Sequence, residues 1–253
     1  MYFKSNNIKI YYEKYGNTNK TILILPGWGD TRETFNQIIN YFKDNYTIYI
    51  LDYPGFGKSP IPKKTLTIYD YTEIIYNFLN KNKINNPLII AHSFGGRITT
   101  LLTTKYKVKI DKMLLIDIAG IKPKKTLKQK IKETIYKTLK RIIKITKNKE
   151  KYQKKLIKIF ASTDYQNLPN GMHQTFKNII NEDLTNYIKL IPSECLIIWG
   201  KQDTSTPLKD AYKIKKLIKN SALIVFPNGN HFPYLQYPYL INKIIYEFIK
   251  EKE

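Results

Sequence analysis

Cysteine occurs once in 253 residues, at Cys195, so no disulfide can form within the chain, and a reducing cytoplasm is the expected setting. Arginine is almost as scarce: Arg32, Arg97 and Arg141 are the only three, and lysine carries nearly all of the formal net charge of +23. Bidentate recognition of phosphates and bases favours the planar guanidinium. Lysine, asparagine, isoleucine and tyrosine crowd the whole sequence, so the charge reads as a compositional bias on a solvated surface, and no nucleic-acid partner is expected. No apolar run approaches the roughly eighteen residues that a bilayer span needs. The opening MYFKSNNIKIYYEKYG lacks the apolar stretch and small-residue cleavage site of a secretory signal. Three scattered histidines and one cysteine give a metal centre little to build on, and no cofactor is expected. The glycine-rich DYPGFGKS fits neither the P-loop nor the dinucleotide fingerprint, so it reads as a turn after a strand ending near Asp52.

What the chain does have is a hydrophobic content of 42%, enough for a substantial core. Strand-length runs rich in Ile, Leu and Val recur at Thr21 to Leu25, Tyr46 to Leu51, Pro87 to Ala91, Met113 to Ile118, Leu196 to Trp199 and Ala222 to Phe226. Helical patterns separate most of them, such as Tyr69 to Leu79 behind a cap at Thr67. Strands apolar on both faces that alternate with helices predict an α/β fold, a mostly parallel sheet covered on both sides, with Ile8 to Tyr12 as an antiparallel edge. The alternation fails between about Ile121 and Ile191. Helical patterns over Thr126 to Thr146, Glu150 to Phe160 and Thr175 to Ile188, the first two followed by the polar TDYQNLPNGMHQ, read as a helical cap over the carboxyl ends of the strands. The expected organisation is a core of residues 1–120 and 192–253 with an inserted cap at 121–191.

In PLIIAHSFGGRITT an apolar strand stops at His92-Ser93 and two glycines follow. A nucleophile on a tight strand-to-helix turn needs small neighbours, and Ala91-His92-Ser93-Phe94-Gly95 supplies them, with alanine where glycine is usual. The helix starting near Phe94 would aim free N–H groups and its positive dipole end at the serine. Alone, the pattern also fits a strand–turn–helix junction with a capping serine. Two later stretches add chemistry: LIIWGKQDTSTP offers Asp203 and LIVFPNGNHFPYLQYP offers His231, each just beyond a predicted strand.

Ser93, Asp203 and His231 occur in the order of the α/β-hydrolases. Through LPGWG, DYPGFGKS, AHSFGGR, WGKQDTSTP and GNHF, the chain resembles α/β-hydrolase fold enzymes with a helical cap, over nearly its whole length. The resemblance implies a cap inserted after the sixth strand of that fold, here Met113 to Ile118. It also implies a triad in which His231 takes the proton of Ser93 and Asp203 holds the imidazole. Some relatives take the acid from an earlier strand, which makes Asp117 the alternative. The implied oxyanion donors are the backbone N–H groups of Phe94 and Trp28; the usual His-Gly of the latter loop is Pro26-Gly27 here, and the Trp28 indole either lines the pocket or belongs to the core.

The function expected is cleavage of a small ester or thioester through an acyl-enzyme, with a small-molecule acyl substrate and no cofactor. The same triad also serves carbon–carbon bond hydrolases and acyltransferases, and the fold serves ligand receptors. In KTLKQKIKETIYKTLKRIIKITK, Leu127, Ile131, Ile135, Leu139 and Ile142 to Ile143 form an apolar stripe among lysines. Such a helix can lie on anionic lipid as a peripheral membrane contact. A cap helix with its stripe against the cleft gives the same pattern, and that is the expectation here.

Overall fold

The computed structural model describes residues 1–122, 127–146, 148–160, 163–166 and 168–250. The chain opens with β1 (Tyr2–Ser5), β2 (Ile8–Tyr15) and β3 (Thr21–Leu25), followed by α1 (Asn36–Phe42), β4 (Thr47–Leu51), α2 (Ile68–Lys81), β5 (Leu88–His92), α3 (Phe94–Thr104) and β6 (Lys112–Ile116). Five helices come next, α4 (Leu127–Lys144), α5 (Lys149–Phe160), α6 (Thr163–Gln166), α7 (His173–Asn181) and α8 (Thr185–Ile188). The chain closes with β7 (Glu194–Gly200), α9 (Leu208–Leu217), β8 (Ser221–Phe226), α10 (Pro233–Gln236) and α11 (Pro238–Ile249). No helix among the described residues is long and apolar enough to cross a membrane.

The eight strands form one sheet in the order β1-β2-β4-β3-β5-β6-β7-β8. β1 pairs with β2 and β2 with β4 antiparallel, and every later pair is parallel. Strand side chains alternate between two cores. In β3, Leu23 and Leu25 enter one core while Ile22 and Ile24 enter the other, so a run that is apolar throughout is what this position requires. α2, α3 and α9 cover the first face through residues such as Ile75, Leu101 and Ile214. α1 and α11 cover the second through Ile38 and Ile245.

This division creates the site. β4 lies on one side of β3 and β5 on the other. The chain leaving β3 turns toward α1 on one face, while the chain leaving β5 enters α3 on the opposite face. Diverging connections open a crevice at the carboxyl ends of β3 and β5, the position where open α/β sheets bind ligands.

Several predicted elements differ at their ends. The opening strand β1 escaped notice, because only Phe3 and Ser5 face inward and the run is too short to show a period. The strand predicted to Ile118 ends at Ile116, where Asp117 turns the backbone to a φ of 43°. Helix 175–188 is instead α7 and α8. Between them the Leu184 N–H donates to the Gly120 carbonyl at 2.8 Å, and the Asp183 carboxylate accepts from the Thr185 N–H at 2.9 Å, which replaces helical bonding. Helix 126–146 is α4, and its predicted first residue, Thr126, lies outside the described residues.

The apolar stripe of α4 corrects an expectation. Leu127, Ile131, Ile135, Leu139 and Ile142 are all exposed, and only Ile143 is half-buried. The helix packs by its other side, with the Tyr136 ring 5.9 Å from that of Phe160 on α5. The stripe therefore does not lie against the cleft.

Candidate active site

Ser93 follows the last residue of β5 directly and has φ 46° and ψ −109°, a conformation that L-residues avoid. Three backbone hydrogen bonds hold it. Its N–H donates to the Ile116 carbonyl at 3.1 Å, and its own carbonyl accepts from Ala119 N–H at 2.9 Å and Gly96 N–H at 3.1 Å. The turn also explains the glycines, since a Cβ on Gly95 would overlap the Leu25 carbonyl oxygen and one on Gly96 would overlap the Ile118 side chain. Ala91 sits earlier, in regular register between Leu25 and Leu115, where its methyl is fully buried without crossing another backbone.

His231, in the connection after β8, places Nε2 3.0 Å from Ser93 Oγ and Nδ1 2.7 Å from Asp203 Oδ2. A carboxylate only accepts, so Nδ1 carries the hydrogen, and Nε2 is left to accept from the serine hydroxyl. Asp203 follows β7 with its carboxyl shielded from solvent. Burial alone would raise its pKa. The hydrogen bonds from His231 and from Thr206 outweigh that and hold it below the ordinary aspartate value. Oδ1 accepts from the N–H groups of Ser205 at 2.7 Å and Thr206 at 2.9 Å, and the Thr206 hydroxyl donates to Oδ2. The loops bearing Asp203 and His231 are tied together, Gln202 N–H donating to the Gly229 carbonyl at 2.8 Å.

Of the two carboxylates that the sequence offered, it is Asp203 that meets the imidazole. Asp117 accepts from the Gly200 N–H at 2.9 Å through Oδ1, and its buried Oδ2 has no hydrogen-bond partner among the described residues. Burial first, and then the neighbouring Asp203 charge, push its pKa to about 9, so it is a neutral acid at pH 7. Asp117, Asp203 and His231 present donor atoms within 4.8 Å of one another. A cation would need both carboxylates ionised and a free Nδ1 lone pair, so this donor set does not suit one.

Trp28 lies in the connection after β3, across the crevice from Ser93, and Phe94 opens α3. The first-turn N–H of Phe94 has no acceptor within its own helix. The Trp28 indole is half-buried and packs edge-on against Phe56 at 4.8 Å and Phe94 at 5.1 Å. It therefore both lines the cavity and borders the core. The cavity, about 680 Å³, is walled by Trp28, Phe94 and Phe232 from the sheet side, by Phe160 from α5, and by Phe176 and Ile179 from α7.

Three contributions were not anticipated. The His92 side chain is buried against His231, its Nε2 lying 2.8 Å from the His231 carbonyl oxygen and its Nδ1 3.1 Å from Asp30 Oδ2. Burial lowers the His92 pKa, against the opposing pull of Asp30. Arg97, buried in the cavity wall with its pKa lowered to about 10 by desolvation, donates to the Glu182 carbonyl at 2.9 Å and so joins α3 to the helical insertion. Thr206 completes the setting of Asp203. Only Thr206 left a trace in the sequence, as a hydroxyl residue three places after the acid in WGKQDTSTP.

Residues 20–238 match the family described as alpha/beta hydrolase fold. The pimeloyl-[acyl-carrier protein] methyl ester esterase of Wigglesworthia glossinidia brevipalpis is 29% identical, across 95% of this chain and 98% of that protein. The 2-hydroxy-6-oxononadienedioate/2-hydroxy-6-oxononatrienedioate hydrolase 1 of Pseudomonas putida is 21% identical, across 96% of this chain and 92% of that protein. Among solved structures, the hydrolase MGS-M2 from a Medee basin deep-sea metagenome library superposes with a TM-score of 0.78 at 19% identity, covering 100% of this chain and 98% of that one.

Two outcomes are expected. Gly95→Val should lower stability to denaturant by about 2–3 kcal/mol or more, and an unchanged urea midpoint would refute the tight contact with Leu25. Asp117 binds a proton in the folded chain that an unfolded aspartate releases near its ordinary value of 3.8. Its contribution to stability is therefore lost as pH rises from about 4 to about 9, by at most about 1.4 kcal/mol per pH unit. Denaturation measured between pH 6 and about pH 9 should show a decline that Asp117→Asn flattens; equal declines in both proteins would contradict it.

Proposed function

The chain belongs to the alpha/beta hydrolase fold family, and on that premise we propose that it is a serine hydrolase cleaving small esters or thioesters with a partly apolar acyl group. The observation that carries this reading is the continuous path Ser93 Oγ to His231 Nε2 at 3.0 Å and His231 Nδ1 to Asp203 Oδ2 at 2.7 Å, opening into a cavity where the rings of Trp28, Phe94, Phe160, Phe176 and Phe232 alternate with charged groups such as Arg97, Lys122 and Asp210. In the reaction, Ser93 Oγ attacks the carbonyl carbon while its proton passes to His231 Nε2. Asp203, ionised because its pKa is lowered, stabilises the imidazolium that forms. The negative oxygen of the tetrahedral intermediate accepts hydrogen bonds from the N–H groups of Trp28 and Phe94. Collapse breaks the bond to the leaving alcohol or thiol, which takes the proton from His231. Water, deprotonated by the same nitrogen, then attacks the acyl-Ser93 carbonyl; the bond to Ser93 Oγ breaks, Oγ takes the proton back from His231, and the acid is released.

The helical insertion acts as a cap here, closing one side of the cavity with Phe160, Phe176 and Ile179. The lining gives the acyl chain apolar contact, and the esterase relative supports an ester as the scissile group. A carbon–carbon substrate uses the same serine and imidazole, and the Pseudomonas putida relative keeps that reading as the alternative.

Purified protein should hydrolyse short-chain p-nitrophenyl esters, and Ser93→Ala should reduce turnover by about a thousandfold or more at unchanged stability. Full activity in Ser93→Ala would refute the proposal, while a wild type that cleaves only diketone-like substrates at a carbon–carbon bond would select the alternative.

A further inference from the structure

Helix α4 is amphipathic in the wrong sense for a buried cap helix. Its outer face carries Leu127, Ile131, Ile135, Leu139 and Ile142, continued by Ile145, with exposures from 37% at Leu139 to 86% at Ile145. Isolated exposed aliphatics are ordinary, but a continuous row of this length marks a surface that meets something apolar. The inner face is already engaged: Tyr136 packs on Phe160, and Glu133 and Phe160 line the cavity.

The charge around the row identifies the partner. α4 and α5 together carry twelve Lys and Arg against two Glu, a net +10 out of the chain's +23. At about 100° per residue, Lys132 borders the row on one side, with its Nζ 5.6 Å from the Phe160 ring centroid, and Arg141 borders it on the other; beyond Arg141, Lys137 pairs with Glu133 at 2.9 Å, and all three cations are exposed. A second copy docked row to row would bring two such cationic rims together, so self-association is opposed by like charge. An apolar surface edged with negative charge satisfies both features at once. The helix spans about 27 Å and is too polar overall to insert across a bilayer, which leaves a position flat in the headgroup boundary.

We propose that the outer face of α4 is a docking surface for anionic phospholipid membranes, with the aliphatic row entering the acyl boundary and the flanking cations meeting lipid headgroups. The same helix then has one face on the bilayer and the other on the cavity wall, so docking brings the cavity beside the lipid surface. The proposal concerns this surface and stands independently of the chemistry at Ser93.

Cosedimentation of the full chain with large unilamellar vesicles tests it, using phosphatidylglycerol mixed equally with phosphatidylcholine, and phosphatidylcholine alone. The wild type should bind the anionic vesicles at least about tenfold more strongly than the neutral ones, and added salt should weaken that binding. The double variant Ile131→Glu with Ile135→Glu should lose at least about tenfold in affinity. Ile135→Gln with Ile142→Gln, which adds no charge, should lose affinity in the same direction. Circular dichroism establishes that each variant is folded. Undiminished binding by the uncharged double variant would show that lysines alone suffice and would overturn the docking of the row. So would a wild type that ignores anionic vesicles, or one that instead forms a row-dependent dimer or binds only an acidic protein such as an acyl carrier.

Discussion

One backbone constraint organises the site: Ser93 is held at φ 46°, where a residue with a Cβ is strained by about 1–3 kcal/mol. That conformation reverses the chain between β5 and α3 within a single residue and leaves Oγ at the head of the crevice. It is retained because neighbouring segments leave the turn no other course. Ile116 and Ala119 hydrogen-bond its two backbone groups, and Gly95 and Gly96 let α3 approach the Leu25 carbonyl and the Ile118 side chain. The strain is offset by a sheet whose two buried faces are filled by strands that alternate residue by residue.

The other groups reach Ser93 through the same sheet. Parallel pairing of β5, β6, β7 and β8 brings the carboxyl ends of these strands to one edge, so the connections bearing Ser93, Asp117, Asp203 and His231 converge although their residues are far apart in the chain. Two aspartates in that space cannot both be charged at low cost. Asp203 receives hydrogen bonds from His231, Ser205 and Thr206, while Asp117 is buried with one backbone donor, so the environment makes one an anion and the other a neutral acid. The neutral acid at the base of the loop leaves the anion facing the imidazole.

Much of this was legible in the sequence for a physical reason. A parallel sheet buried on both faces demands uninterrupted apolar runs, and Thr21 to Leu25 or Leu196 to Trp199 could hardly be anything else. Residues beyond strand ends converge in such a fold, which made Ser93, Asp203 and His231 candidates. Distant contacts were not legible. His92 reaches Asp30 across 62 residues and the His231 carbonyl across 139, and no local pattern encodes either bond. Periodicity revealed that α4 has an apolar face but not what covers it, and the packing of Tyr136 on Phe160 turned that face outward. The choice between Asp117 and Asp203 likewise depended on loop geometry, because both lie at the carboxyl ends of apolar strands, Asp117 directly after β6 and Asp203 three residues after β7.

The central claim is that Ser93 is activated through His231 by Asp203 and not by Asp117. Its most direct test is the rate at which a fluorophosphonate acylates the serine in the wild type, in Asp203→Asn and in Asp117→Asn. The account predicts labelling at Ser93 that slows by about a hundredfold or more in Asp203→Asn and stays within about tenfold of the wild type in Asp117→Asn. Loss of labelling in Asp117→Asn with retention in Asp203→Asn would contradict it.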